Sequence, residues 1–344
     1  MLGVLPKQEK HFDDEIDNYD FPPRQTMRLK KVMGYDRHRI VGEGVTVSDL
    51  SLFGLRHMID NGWISRDDIG AIVVVTLCPD YFVPHISTIL QGELGFDHDV
   101  LCIDISQGCC GFLMGLMESF MVLDHIGGKK VVLINGDVLS RKVSMRDRND
   151  YPLIGDAATI TIIENSLKTG DIYYEMHMDG SRGEVLMIPA GAFRIPSSPE
   201  TAVMIDQGDG NYRALDHMHM DGNEVFNFVQ TAVPPMLNSA LDREGKRIDD
   251  FDWFLFHQPN RFMLQKLAEK VGIPLDRMPM NLVENYGNPS GASIPMTAIL
   301  NCRDELISKN NRCCLSAFGS GLAWGVMFLE IGNLEYCEMI ESPF

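Results

Sequence analysis

The chain has 344 residues, of which 45% are hydrophobic and 23% are charged, and its formal net charge at pH 7 is −18. These values are typical of a soluble globular protein with one large or two ordinary domains, and the acidic balance argues against a nucleic-acid partner. The sequence has no apolar run of about 20 residues and opens without a signal-peptide pattern. We therefore predict a cytoplasmic protein without a membrane partner.

The first predicted elements have counterparts in the second half of the chain. An amphipathic helical pattern over residues 47–61 precedes a buried strand at 69–76. A helical pattern over 224–241 likewise precedes a strand at 251–257. The two strands are offset by about 182 residues, which is the spacing expected of an internal duplication.

A second pair of strands supports the duplication, because segments 130–136 and 312–319 correspond at the same offset. Two β-α-β-α-β units of one plan predict an α/β fold in which helices lie between mixed sheets. We assign residues 1–170 to an N-terminal half, 215–344 to a C-terminal half, and 171–214 to a connecting segment with substrate-side loops.

Cys109 and Cys110 stand where an apolar strand pattern changes into a helical one. A thiol in the first turn of a helix lies near unpaired backbone N–H groups and the positive end of the helix dipole, which favour the thiolate. This position predicts a nucleophile. The alternative, which the spacing leaves open, is a pair of free cysteines packed as small hydrophobic residues. The eight cysteines form no paired C-x-x-C ligand sets, so we predict free thiols and no metal site.

Two polar residues of the second half are candidates to join Cys109. His257 follows an apolar strand at its carboxyl end, where α/β folds place ligands, and Asn288 lies in the turn 287–291. If a pseudo-twofold axis relates the two halves, equivalent strand ends converge and bring these residues near Cys109. Taken singly, a satisfied polar cap explains His257 and turn conformation explains Asn288 equally well.

Together these segments resemble the β-ketoacyl-acyl carrier protein synthase III branch of the thiolase superfamily. Residues 104–112 are similar to the nucleophile segment of that family, in which a small residue, Gly and Phe follow the cysteine, and this order selects Cys109. The catalytic histidine motif, the catalytic asparagine motif and two further signatures resemble residues 257–260, 285–290, 155–158 and 318–325. The resemblance implies a thiolase-like fold, with two pseudo-symmetric halves that form a layered α-β-α-β-α core, and a homodimer.

The resemblance also implies a two-step reaction in fatty acid biosynthesis or related lipid metabolism. Acyl-CoA acylates Cys109, and the backbone N–H groups of Cys109 and Ser320 stabilise the oxyanion. Malonyl-acyl carrier protein then loses carbon dioxide, and His257 and Asn288 stabilise the enolate that condenses with the acyl group. CoA enters as part of a substrate, and no cofactor or metal is implied.

The substrate-side residues follow from the same resemblance. Lys31, Arg148, Arg261, Lys266 and Lys270 are implied contacts of CoA, pantetheine or the carrier protein. Phe82 and Val83, contributed across the dimer, and Phe228 are implied residues of the acyl pocket.

Several positions depart from the family pattern. Arg28 and Val32 fall near the place of a tryptophan that stacks on the CoA adenine, and Val83 stands where Phe is common before Pro84. Cys110 replaces an alanine, and Ser320 replaces a loop glycine. These changes predict a specialised starter unit.

Two alternatives to a condensing enzyme remain. One is an acyltransferase on the same scaffold that moves the acyl group from Cys109 to an oxygen or nitrogen nucleophile. The other is a non-catalytic partner subunit. Asn288 favours condensation over the first, and the presence of all three reactive residues argues against the second.

Overall fold

The computed structural model describes residues 1–166 and 170–344 and is built from two central β-sheets flanked by helices. The strands are β1 (Leu2–Leu5), β2 (Gln8–His11), β3 (Arg37–Ile40), β4 (Ile69–Val75), β5 (Leu101–Ile105), β6 (Lys130–Asp137), β7 (Ala157–Ile163), β8 (Tyr173–Met178), β9 (Leu186–Met187), β10 (Ile205–Asp206), β11 (Tyr212–Arg213), β12 (His219–Met220), β13 (Trp253–Phe256), β14 (Asn310–Gly319), β15 (Ala323–Gly332) and β16 (Glu338–Glu341). The α-helices are α1 (Phe12–Glu15), α2 (Pro23–Leu29), α3 (Val47–Asp60), α4 (Ile86–Leu94), α5 (Gly111–Leu123), α6 (Gly222–Glu244), α7 (Arg261–Val271), α8 (Leu282–Tyr286) and α9 (Ser293–Ser308).

The two sheets repeat one strand plan. The first has the order β16-β1-β7-β6-β4-β5, in which β5, β4 and β6 are parallel and β7 is antiparallel to β6. The second has the order β8-β15-β14-β13, in which β13 and β14 are parallel and β15 is antiparallel to β14. β4 therefore corresponds to β13 and β6 to β14, which confirms the predicted duplication in an α/β fold.

The halves are interleaved at two strands. β8 lies in the segment predicted to connect the halves, yet it pairs with β15 in the second sheet. β16 follows the second half in sequence, yet it pairs in parallel with β1 of the first sheet. Strands on opposite sides of the boundaries assigned at residues 170 and 215 pair with each other. The position of these boundaries therefore stays a prediction.

Helices α5 and α9 lie between the two sheets. Leu113 and Leu116 of α5 and Ile299 of α9 pack in one buried cluster with Val75 of the first sheet and Leu315 of the second. The outer faces of the sheets are covered by α3 and α4 on one side and by α6 and α7 on the other. The resulting α-β-α-β-α layering is the predicted one, and it is driven by burial of apolar faces on both sides of each sheet.

The close approach of α5 to the first sheet depends on a glycine. A β-carbon on Gly115 would lie 2.6 Å from Leu133 Cδ1 and 2.9 Å from Val75 Cγ2. The N-termini of α5 and α9 lie beside the carboxyl ends of β14 and β13, where Gly319 approaches Cys109 and His257 contacts Ser293. Within residues 1–166 and 170–344, no helix combines the length and the apolar composition that crossing a membrane requires.

Candidate active site

Cys109 lies in the turn between β5 and α5. The helix begins at Gly111 and Cys110 is its N-cap residue, so Cys109 precedes the first helical residue by two positions. Cys109 is partly exposed, whereas Cys110 is buried and packs in the core between the sheets. Only Cys109 of this pair is therefore open to a substrate.

Burial and hydrogen bonding act in opposite directions on the pKa of the Cys109 thiol. Burial raises its pKa to about 11, although hydrogen bonds from the backbone N–H of Ser320, its own N–H and the Ser290 side chain act in the opposite direction. The negative charge of Asp137 raises the pKa further. The prediction that Cys109 is a nucleophile stays a prediction: the helix N-terminus favours the thiolate, and the loss of hydration opposes it.

Two backbone N–H groups converge on the Cys109 sulfur. They belong to Cys109 itself and to Ser320, which follows the end of β14. The strand can come this close because residue 319 is glycine: a β-carbon there would lie 2.5 Å from Cys109 Sγ. Two N–H donors on one side of a nucleophile form the arrangement that stabilises a tetrahedral oxyanion.

Gly319→Ala is expected to slow acylation of Cys109 by more than about tenfold, because the added methyl group would lie 2.5 Å from the sulfur and displace it. Overpacking of this kind typically costs about 1–3 kcal/mol of stability. Intact-mass measurement of the acylation rate checks the prediction. Gly92→Ala is the matched control, because a β-carbon at Gly92 meets no atom within 4 Å. A Gly319→Ala protein that is acylated at the wild-type rate would contradict it.

His257 follows β13 directly and its side chain is buried. Its Nδ1 lies 2.7 Å from Ser293 Oγ, at the start of α9, and its ring stands edge-on to Phe318 at a centroid distance of 5.8 Å. Burial lowers the pKa of His257 to about 3, against a hydrogen bond with the Ser290 backbone that raises it. The imidazole is therefore neutral at physiological pH.

Asn288 is fixed in its turn by main-chain hydrogen bonds to the segment that precedes β7. Its N–H donates to Leu153 O at 2.7 Å, and its carbonyl accepts from Gly155 N at 3.1 Å. A β-carbon on Gly155 would lie 2.1 Å from Tyr286 O, so this contact requires glycine. Asn288 Oδ1 accepts a hydrogen bond of 2.9 Å from Ser290 N, which leaves the side-chain NH₂ as the available donor.

Ser290 connects the three predicted catalytic residues, although its role was missed in the sequence. Its N–H holds Asn288, its backbone bonds to His257, and its side chain acts on Cys109. Asp137, at the carboxyl end of β6, was missed as well. A carboxylate directly after an apolar strand, parallel to β4, is the signal that points to it.

Arg148, one of the five predicted CoA or carrier contacts, is buried rather than free. Its guanidinium stacks on Phe21 at 3.6 Å from the ring centroid. Its Nη1 donates to Asp209 O at 2.7 Å and to Asn211 Oδ1 at 3.1 Å. The Arg148 guanidinium is therefore bound by other groups of the same chain. Its role in CoA binding stays a prediction.

The other four predicted cations lie near α7. Lys31 is exposed. Arg261 bridges two elements, because it pairs with Glu284 at 3.0 Å and donates to Lys31 O at 2.9 Å. Lys266 and Lys270 lie one helical turn apart on α7, and each has a partner within the chain: Glu269 at 2.7 Å and Gln230 O at 2.7 Å. The contacts of Lys266 and Lys270 lie at the protein surface.

The three predicted acyl-pocket residues are not brought together within one chain. Phe82 and Val83, on the loop between β4 and α4, are 63% and 78% exposed. The Phe82 ring contacts Phe193, itself 83% exposed, at a centroid distance of 4.8 Å. Phe228 is buried in α6 beside Trp324, at 5.4 Å. The pocket assignment for all three stays a prediction.

Comparison with known proteins matches two segments of the chain to one family. The model described as 3-Oxoacyl-[acyl-carrier-protein (ACP)] synthase III matches residues 103–180, and the model of the C-terminal part of the same family matches residues 241–331. Cys109 lies in the first range, and His257 and Asn288 lie in the second.

Whole-chain relatives extend this match. A β-ketoacyl-[acyl-carrier-protein] synthase III of Natranaerobius thermophilus is 32% identical over 302 residues, which are 86% of this chain and 88% of that protein. A Campylobacter jejuni protein that carries the name 3-oxoacyl-[acyl-carrier-protein] synthase 3 is 30% identical over 334 residues, 96% of this chain and 92% of its own length. The crystal structure of a 3-oxoacyl-(acyl-carrier protein) synthase from Burkholderia xenovorans is 30% identical, with a TM-score of 0.90 and coverage of 99% of this chain and 95% of that one.

Proposed function

Because the chain belongs to the 3-oxoacyl-[acyl-carrier-protein] synthase III family of condensing enzymes, we propose that it joins an acyl group carried on Cys109 to a malonyl unit carried on acyl carrier protein. The observation that carries this proposal is the surroundings of the Cys109 sulfur. Two backbone N–H donors face it, and neutral His257 and the Asn288 amide are tied to the same turn through Ser290.

The first half-reaction loads the enzyme. Cys109 Sγ attacks the thioester carbonyl of an acyl-CoA, and the negative charge moves to the carbonyl oxygen. The N–H groups of Cys109 and Ser320 stabilise that oxyanion, and the CoA thiol departs. CoA is a substrate in this step, and the chemistry requires no resident cofactor.

The second half-reaction forms the carbon–carbon bond. The malonyl thioester loses carbon dioxide, and the charge that develops on its thioester oxygen is stabilised by hydrogen bonds from His257 and Asn288. Both groups are neutral, and the pKa of about 3 keeps His257 so throughout the physiological range. The resulting carbanion attacks the acyl-Cys109 carbonyl, which releases a 3-oxoacyl thioester and restores the thiol.

The exposed aromatic surface supports a homodimer as the working unit. Phe82, Val83 and Phe193 form an apolar patch that is largely exposed in the single chain. Clustered exposed apolar side chains are typical of protein interfaces. A second copy that covers this patch would bring Phe82 and Val83 to the partner's substrate channel, and Val83 in place of a larger side chain supports a specialised starter unit.

Acylation followed by decarboxylation tests the proposed function. The protein is incubated with a panel of acyl-CoA thioesters, the mass added to Cys109 is measured, and malonyl-acyl carrier protein is then supplied while carbon dioxide is followed. Acylation and then carbon dioxide release support condensation. Acylation without decarboxylation would favour transfer to an oxygen or nitrogen nucleophile, and no acylation by any donor would favour a non-catalytic partner subunit.

Lys266 and Lys270 are proposed to contact the acidic carrier protein. The double variant Lys266→Glu, Lys270→Glu is expected to raise the KM for malonyl-acyl carrier protein by about three- to tenfold, because like charges now face each other. The KM for free acyl-CoA should stay nearly unchanged. The double variant Lys246→Glu, Lys309→Glu is a charge-matched control, since both lysines are exposed and Lys309, like Lys266, pairs with a nearby glutamate. Equal effects on the two substrates would exclude carrier docking at α7.

A further inference from the structure

A buried histidine and a buried glutamate form a pair outside the residues assigned to the reaction. His38, on β3, is 2% exposed, and Glu15, the last residue of α1, is 5% exposed. His38 Nε2 lies 3.1 Å from Glu15 Oε2 and 3.2 Å from Oε1. A glutamate is seldom buried this deeply unless a partner compensates the lost hydration, and His38 is that partner here.

The other ring nitrogen of His38 holds a main-chain carbonyl. Nδ1 lies 2.6 Å from Ile154 O. A carbonyl oxygen only accepts hydrogen bonds, so Nδ1 carries the hydrogen and donates it. Glu15 on Nε2 fixes the orientation of the ring, because a ring turned over would exchange the two nitrogens. Tyr151 packs nearly perpendicular to the ring at a centroid distance of 5.3 Å. The His38 donor is therefore held on Ile154 from several directions.

Ile154 is the residue that pairs with Asn288. The two form an isolated parallel β-bridge. Asn288 N donates to Leu153 O at 2.7 Å, and Gly155 N donates to Asn288 O at 3.1 Å. Along an extended segment, the carbonyl of Ile154 points to the edge opposite the one used by Leu153 O and Gly155 N. His38 and Asn288 therefore hold the same short segment from its two edges.

The contact between this segment and the Asn288 turn leaves no room for adjustment. A β-carbon on Gly287, the residue before Asn288, would lie 2.6 Å from Gly155 N and 2.8 Å from Ile154 C. Backbone touches backbone there, so a displacement of Ile154 is passed on to Asn288. Misplacing a catalytic group by about 1 Å can cost about 10²-fold in rate.

We propose that His38, oriented by Glu15, is a positioning residue for Asn288 in the decarboxylation step, an inference that rests on the proposed function. The Nδ1–H of His38 fixes the Ile154 carbonyl, and the segment around Ile154 fixes the main chain of Asn288. The side-chain NH₂ of Asn288 is thereby held where the enolate charge develops. Acylation of Cys109 does not depend on His38, because that step uses the two backbone N–H groups at the sulfur.

Two substitutions separate the His38 donor from the bulk of its ring. His38→Leu fills the space but removes the Nδ1–H, and it is expected to lower carbon dioxide release from acylated enzyme at saturating malonyl-acyl carrier protein by about 10- to 100-fold. His38→Asn keeps an N–H at the position of Nδ1 and should stay within about threefold of wild type. Acylation of Cys109, measured by intact mass, should stay within about threefold in both variants.

A double-mutant cycle shows whether His38 acts through Asn288. If it does, His38→Leu added to Asn288→Asp lowers carbon dioxide release no further than Asn288→Asp alone, because the donor to be positioned is already gone. If His38→Leu lowers the rate by the same factor in both backgrounds, the proposal is overturned. His57→Leu is the matched control, since His57 of α3 also stands nearly perpendicular to an aromatic ring, that of Trp63 at 5.2 Å, and it should match wild type.

Equal losses of acylation and decarboxylation in His38→Leu would contradict a positioning role confined to Asn288. A His38→Asn protein as slow as His38→Leu would contradict it as well. If His38→Leu does not fold, His38→Gln decides, because its longer amide can keep the bond to Glu15 while the N–H at the position of Nδ1 is lost. Wild-type decarboxylation by His38→Gln would overturn the proposal.

Amide hydrogen exchange tests the positioning without the reaction. The N–H groups of Gly155 and Asn288 are hydrogen-bonded across the bridge in the intact protein. Faster exchange at both in His38→Leu, with unchanged exchange in β4, supports the proposal, and unchanged exchange at both overturns it. A wild-type protein that releases no carbon dioxide from malonyl-acyl carrier protein would refute the proposed function, whereas the exchange result would still decide whether His38 holds Asn288.

Discussion

Cys109→Ala is expected to abolish acylation and condensation, whereas Cys110→Ala keeps both within about threefold of wild type. Cys109 is the partly exposed member of the pair and faces two N–H donors, so no other group can take over as nucleophile. Cys110 is buried in the core, and burial raises the pKa of its thiol well above the usual range. Its truncation should therefore cost only about 1 kcal/mol of stability.

Intact-mass analysis after incubation with acyl-CoA checks both substitutions, and the thermal midpoint of Cys110→Ala measures the loss of packing. An acyl adduct of unchanged amount on Cys109→Ala would show that another thiol is the nucleophile. Loss of acylation in a folded Cys110→Ala protein would show that the neighbouring sulfur takes part.

Asn288→Asp is expected to lower decarboxylation of the malonyl substrate by at least about 10²- to 10³-fold, the usual effect of losing one donor to a developing oxyanion. The carboxylate keeps the hydrogen bond from Ser290 N at 2.9 Å, so the turn is preserved. It also replaces the NH₂ donor by a negative charge where the enolate charge develops. Acylation of Cys109 should remain within about threefold, because that step uses the N–H groups of Cys109 and Ser320.

Carbon dioxide release and the acylation rate, measured separately, test this division of labour. Asn61→Asp provides the same change of charge at an exposed position at the end of α3 and should leave both rates unchanged. Equal losses in acylation and decarboxylation for Asn288→Asp would contradict a role confined to the second half-reaction.

The strand plan was predictable from the sequence where apolar segments recur at a constant offset, as they do for β4 with β13 and β6 with β14. The sheet positions of β8 and β16 were not predictable from the sequence. Each is short and mostly half-buried, and its sheet is fixed by pairing with a strand far away in the sequence. A local pattern does not contain that information.

The candidate site likewise has features that the sequence predicts and features that it does not. Cys109, His257 and Asn288 were identifiable because each stands at a strand end or turn within an ordered motif. The protonation state of Cys109 was not, because it depends on how completely the second half covers the thiol. Ser290 lies against Gly108 only when the two halves pack, and Arg148 loses its freedom only when Phe21 stacks on it. These properties arise from tertiary contacts and carry no signal in their own segments.

The most direct test of condensation is a single-turnover reaction of pre-acylated enzyme with malonyl-acyl carrier protein, in which the mass on Cys109, carbon dioxide and the carrier-bound product are measured together. We predict that each acyl group lost from Cys109 yields one carbon dioxide and one 3-oxoacyl-acyl carrier protein. An acyl group that stays on Cys109, or leaves it while the malonyl group remains intact, would contradict a condensing function.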